Sequence, residues 1–117
     1  MKFKNNILLF KQLCLHISSA LYFMEAKNLL YLDIKPSNIL SDDVKKIFLI
    51  SDFGTASFYF DKQGTKSFTL KGYTPIYTSP EVLNLLIGGI KIYYPGKCDI
   101  FSLGVSLLQS YLGIKNA

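Results

Sequence analysis

Asp33, Lys35 and Asn38 fall within six residues of one another, in Tyr31-Leu32-Asp33-Ile34-Lys35-Pro36-Ser37-Asn38, and a second acid follows in Ser51-Asp52-Phe53-Gly54. Two carboxylates, an amide oxygen and an ammonium are groups that can handle a magnesium-bound phosphate. Mg²⁺ is a hard cation that takes one or two carboxylates and completes its shell with water and phosphate oxygens. The ammonium would offset phosphate charge, and the carboxylate not on the metal could orient a hydroxyl. Each piece is ordinary when taken singly: Asp-x-Lys-Pro also makes a fair turn, and Asn38 is a common turn residue.

The surrounding pattern says how these groups are brought together. From Phe10 onward the apolar residues Leu13, Cys14, Ile17, Leu21 and Met24 recur every three or four positions, which predicts a helix of about five turns packed on one face. Asn28 suits a left-handed C-cap. His16 lies off the stripe and reads as a surface or internally satisfied histidine. Leu29 to Leu32 is a short extended run. Ile39-Leu40 and Ile47 to Ile50 predict two strands joined by a turn at Ser41-Asp42-Asp43, a hairpin with Asn38 before one strand and Asp52 after the other. A polar and aromatic loop runs on through Gly72. Ser79-Pro80-Glu81 then supplies a Ser N-cap, a proline at the first helical position and an acid in the first turn. Gly88-Gly89 ends that helix, and 93–97 connects to a last one over Asp99 to Leu112. This final helix is apolar nearly all round and is expected to be buried on every side, at the centre of a domain larger than the chain. The fold class expected is mainly α with a small β-hairpin.

Composition narrows the function classes. The chain has 117 residues, half of them apolar and 18% charged, which is a folding composition rather than a disordered one. All 13 basic residues are lysines, giving a net charge of +5 without one arginine. They are scattered, where a nucleic-acid binder clusters its basic residues and uses arginine for bidentate contacts; nucleic acid is not expected as a partner. Cys14 and Cys98 form no C-x-x-C and read as buried free thiols in a reducing compartment. No signal peptide is recognised at the start, and the longest apolar stretch, Ile100 to Ile114, is broken by Ser102, Ser106, Gln109 and Ser110. It is shorter than the roughly 18 residues of a membrane span. No span and a cytoplasmic location are the expectation.

Taken together, the motifs resemble the C-terminal lobe of a eukaryotic protein kinase. Residues 31–38 are similar to the catalytic loop, written H-R-D-L-x-x-x-x-N in the family, and Ser51-Asp52-Phe53-Gly54 matches the D-F-G magnesium motif. Ser79-Pro80-Glu81 matches A-P-E, and Asp99-Ile100-Phe101-Ser102-Leu103-Gly104 resembles the buried F helix of the family. The resemblance implies a partial kinase domain over residues 1–117, with the catalytic loop at 31–38, the activation segment at 52–81 and the F helix at 99–112. It implies ATP and Mg²⁺ as cofactors and a protein Ser/Thr hydroxyl as substrate. Asp33 would be the catalytic base, Lys35 would neutralise the transferring phosphoryl group and contact ATP, and Asn38 and Asp52 would hold the metal. Thr74 resembles the threonine that Ser/Thr kinases place beside the catalytic Asp, and Asp99 would tie the F helix to the catalytic-loop backbone.

The departures are informative. Tyr31 and Leu32 stand where the family has His and Arg, and Leu32 cannot make the charge-assisted bonds that read a phosphorylated activation loop at Ser67, Thr69 or Tyr73. Glu81 resembles a residue whose partner is an arginine, and the chain has none. No Gly-x-Gly-x-x-Gly occurs, and nothing resembles the strand Lys and helix Glu that grip the phosphates. The N-lobe and the last C-lobe helices are therefore expected to be missing, and the chain alone is expected to bind Mg-ATP poorly and transfer little phosphate. The alternative is a non-catalytic, kinase-derived scaffold whose exposed apolar faces dock another protein.

Overall fold

A computed structural model of the chain describes residues 6–58, 60–62, 65–67, 74–86 and 97–113. Among these the regular structure is mostly helical, with three small antiparallel strand pairs. The expected ends at Gly88-Gly89, the connection over 93–96, and Thr69, Gly72 and Tyr73 lie outside the described residues.

Helix α1 covers Ile7–Ala26. Asn6 caps it, its Oδ1 accepting a hydrogen bond from Leu9 N at 3.0 Å, and the chain leaves it through Asn28, whose φ of 57° is the left-handed conformation expected of a C-terminal stop. The predicted stripe is the buried one: Leu13, Ile17, Leu21 and Met24 enter the core, while Leu8, Leu15, Tyr22 and Phe23 are exposed. Among the described residues, α1 is also the helix long and apolar enough to cross a membrane by length and composition alone. The apolar helix containing Ile100, Cys98–Leu112, is shorter than a span, so the stretch that meets the length criterion is α1 and not the one expected. Here the buried stripe of α1 packs into the protein core.

After β1 (Leu29–Leu30) and a 3₁₀ turn at Pro36–Asn38 come β2 (Ile39–Asp42) and β3 (Ile47–Ile50), paired from Ile39↔Ile50 to Asp42↔Ile47. The predicted hairpin forms, but its strand runs through Ser41 and Asp42 and the turn falls on 43–46. Asp42 Oδ1 accepts hydrogen bonds from Val44 N at 3.0 Å and Lys45 N at 3.1 Å, so the side chain that suggested a turn starts it from the last strand position. Lys46 completes the reversal at φ 53°.

The loop after Asp52 is more ordered than expected. Strand β4 (Ser57–Phe58) returns to β1 with Leu30 opposite Ser57, and β5 (Phe60–Lys62) pairs with β6 (Thr65–Ser67). Two- and three-residue strands leave too short an alternation to be read from sequence. A second 3₁₀ turn at Pro75–Tyr77 leads to α2 (Pro80–Leu86), with Pro80 first and Glu81 in the first turn as predicted.

Helix α3 spans Cys98–Leu112 and stops at Gly113, which takes φ 70°. It is not covered on every side. Its buried face carries Cys98, Asp99, Ser102, Leu103 and Ser106, whereas Ile100, Phe101, Leu108 and Leu112 are between 42% and 60% exposed. The serines, which looked like interruptions of an apolar helix, face inward because each has a backbone acceptor. Ser102 Oγ donates to Tyr77 O and Cys98 O, and Ser106 Oγ donates to Ser102 O at 2.8 Å. Leu103 joins Leu13, Ile17, Leu21, Met24, Tyr31, Ile34, Ile39 and Phe48 in one core, so α1, α3 and the β2–β3 pair meet directly beneath the Asp33 loop.

Candidate active site

Asp33 sits in the loop between β1 and the first 3₁₀ turn, and three of the other predicted residues converge on it. Thr74 Oγ1 donates to Asp33 Oδ1 at 3.1 Å, and Lys35 Nζ donates to Thr74 Oγ1 at 3.1 Å. The same ammonium lies 3.7 Å from Asp33 Oδ2. Asn38 closes the loop from the other side, its Nδ2 donating to the Asp33 carbonyl at 2.8 Å and to Asp33 Oδ2 at 3.1 Å. Both donors of the Asn38 amide are directed at Asp33, which leaves its carbonyl oxygen as the group able to face a cation.

Asp52 is adjacent but makes no hydrogen bond to the other four. Ser51 N donates to Asn38 O at 2.9 Å, extending the β2–β3 pairing by one step, so Asp52 leaves the hairpin immediately beside Asn38. Its backbone is held at φ 60°, a conformation uncommon outside glycine, and its Oδ1 accepts from Gly54 N at 3.1 Å. The carboxylate is exposed. Its donor set with the Asn38 carbonyl, one carboxylate and one neutral oxygen, fits Mg²⁺ that keeps water and phosphate oxygens as its remaining ligands.

Two residues hold this arrangement in place. Asp99, at the start of α3, accepts from Tyr31 N at 2.7 Å with Oδ2 and from Leu32 N at 2.8 Å with Oδ1. Those bonds pin a backbone in which Leu32 adopts φ 68°. Asp99 is therefore a tether reaching across the chain and not a helix cap, and burial pushes its carboxyl above the usual range against the pull of the two N–H donors. Tyr31 was noted above only as a substitution for histidine. Fully buried, it donates its hydroxyl to Ser51 O and to Asp52 O, the latter at 2.8 Å, and its ring meets Phe53 edge-on at 5.3 Å. Burial, with Asp33, Asp52 and Asp99 nearby, pushes its phenol up to about 12, so it remains a donor at any physiological pH. The signal in the sequence was an aromatic with a polar tip two positions before Asp33; its partners could not be read because both acceptors are backbone carbonyls.

One expectation is corrected. Ser79 caps nothing with its side chain: its backbone oxygen accepts from Val82 N and Leu83 N, while its buried hydroxyl has no partner among the described residues. Glu81 is partly buried and makes no hydrogen bond or ion pair among the described residues, in keeping with a sequence that has no arginine to offer it.

A family model described as "Protein kinase domain" matches residues 3–115. The chain belongs to the protein kinase family. Relatives include the serine/threonine-protein kinase mos of Patiria pectinifera, 33% identical over 98 residues, 81% of this chain and 26% of that protein. Calcium-dependent protein kinase 5 of Plasmodium falciparum is 37% identical over 91 residues, covering 76% of the chain and 14% of the relative. The serine/threonine-protein kinase ULK3 of Xenopus laevis is 32% identical over 98 residues, 83% and 19% respectively. The chain thus spans about a quarter or less of the length of these kinases.

Proposed function

We propose that the chain is the catalytic-loop and activation-segment part of a Ser/Thr protein kinase, a C-lobe portion that works in phosphoryl transfer from ATP to a protein hydroxyl. The observation that carries this reading is the chain of contacts from Lys35 through Thr74 to Asp33, buttressed by Asn38. Asp33 presents an anionic oxygen that can accept a hydrogen bond from a substrate Ser or Thr hydroxyl. As the hydroxyl oxygen bonds to the γ-phosphorus and the bond to the β–γ bridging oxygen breaks, the proton passes to Asp33 and ADP leaves. Lys35 places its positive charge where the transferring phosphoryl group accumulates negative charge. Asn38 and Asp52 would hold Mg²⁺, which when bound neutralises the ATP phosphates. Thr74 fixes the Asp33 rotamer and bridges it to Lys35.

Phosphoryl transfer from Mg-ATP by the native polypeptide that carries this sequence, offered serine, threonine and tyrosine peptides side by side, tests the reading. Labelling of serine or threonine only is expected; labelling of tyrosine only would contradict it. The 117 residues alone should transfer negligible phosphate, because their sequence contains neither a glycine-rich loop nor a strand Lys and helix Glu to complete the phosphate clamp. The free thiols Cys14 and Cys98 support a cytoplasmic setting. A non-catalytic docking role is the second reading, favoured by Leu32 in place of arginine and by the exposed apolar residues of α1 and α3. ATP transfer abolished by Asp33→Asn would decide against it.

A further inference from the structure

A small cavity lies where the start of α2, the start of α3 and the loop carrying Asp33 meet. Leu32, Val82 and Cys98 form its apolar side, and Ser79, Asp99, Ser102 and Thr78, whose hydroxyl donates to Thr74 O, its polar side. It offers about 10 Å³ to the centre of a water-sized sphere, which is near the lower limit for one water and too small for more. Ser79 is 1% exposed, and its hydroxyl has no protein partner among the described residues. Buried hydroxyls are almost always paired with protein or ordered water. The Ser102 hydroxyl is already committed to Tyr77 O and Cys98 O and cannot supply a further donor. Asp99 can still accept. Each of its oxygens takes one backbone N–H, and a carboxylate has capacity for about four bonds. Its upward-shifted acid agrees with a carboxylate that two protein donors do not fully compensate.

We propose that one internal water is held in this cavity between the Ser79 hydroxyl and the Asp99 carboxylate, linking the start of α2 to the loop that carries Asp33. The water donates one hydrogen to Asp99 and shares a hydrogen bond with Ser79 Oγ, which gives it the two polar partners an internal water requires. The link needs no nucleotide and no catalysis, so it stands apart from the proposed reaction.

The sign of one melting shift separates the two states of Ser79. With the water in place, Ser79→Ala removes a satisfied hydroxyl, and the full chain should melt about 3–6 °C lower. An unpaired buried hydroxyl would give the reverse, since its removal relieves a desolvation cost; an unchanged or higher Tm overturns the proposal. A measurement on the unaltered chain does not depend on the variant folding. Water–amide cross-relaxation in NMR should show a long-lived water beside the Tyr31 and Leu32 amides, and its absence there overturns the proposal as well.

Discussion

Asp33, Lys35, Thr74 and Asn38 hold one another by side-chain contacts of 3.1–3.7 Å, while Asp52 makes none with them and is held through its carbonyl by Tyr31 and through Oδ1 by Gly54 N. Tyr31 is the residue that restrains that backbone. Tyr31→Phe keeps the ring against Phe53 but removes the donor to Ser51 O and Asp52 O. A loss of about 1–2 kcal/mol in urea unfolding, with m unchanged, is expected; a change below a few tenths would mean the hydroxyl bonds contribute nothing. The two cysteines differ in a way that chemistry can read. Burial pushes both thiols up, and Cys98 far more, with the Asp99 and Glu81 charges adding to it. Because the thiolate is the reactive form, a rise in the folded state delays reactivity to higher pH. Native-state alkylation at pH 8 followed by mass spectrometry should label Cys14 first and leave Cys98 untouched until the chain unfolds. Equal labelling would contradict the packing of α3.

At the level of elements, the parts legible in the sequence were those with a long period or a strong punctuation mark. The stripe of α1, its stop at Asn28 and the Pro80 start of α2 appear where residue pattern placed them, and the β2–β3 pair forms with its turn shifted from 41–43 to 43–46. What sequence could not show depends on backbone partners. Strands β4, β5 and β6 are too short to alternate, Ser102 and Ser106 turn inward because carbonyls await them, and the acceptors of Tyr31 are main-chain atoms. His16 belongs to the same class: its Nδ1 accepts from Phe48 N at 3.1 Å and joins α1 to β3, the strand that leads to Asp52. His16→Ala should cost about 1 kcal/mol, and His16→Gln, which can still offer an acceptor, should cost less. The two faces of α1 give a sharper contrast. Ile17→Ala removes a fully buried side chain and should cost about 2–5 kcal/mol, while Leu15→Ala, on the exposed face, should stay within about 0.5 kcal/mol in the isolated chain. Similar losses at both positions would show that the exposed face of α1 is covered.

For the molecule as a whole, one core fed by α1, α3 and the β2–β3 pair includes Tyr31 and Ile34, the residues that flank Asp33 in its loop. The same compactness leaves Ile100, Phe101, Leu108 and Leu112 on α3 uncovered, which is the wrong side of an apolar helix to leave in water. The kinase relatives extend well beyond the stretch they share with this chain, which covers 26%, 14% and 19% of their lengths. In the proposed function Asp33 takes the proton from a substrate hydroxyl while Asn38 and Thr74 hold it in position. It is tested most directly by the initial rate of phosphoryl transfer from Mg-ATP to a serine peptide, for the native polypeptide against its Asp33→Asn form. A fall of roughly 10²–10⁴-fold in kcat with little change in KM for ATP is expected. An Asp33→Asn protein that keeps its full rate would contradict it.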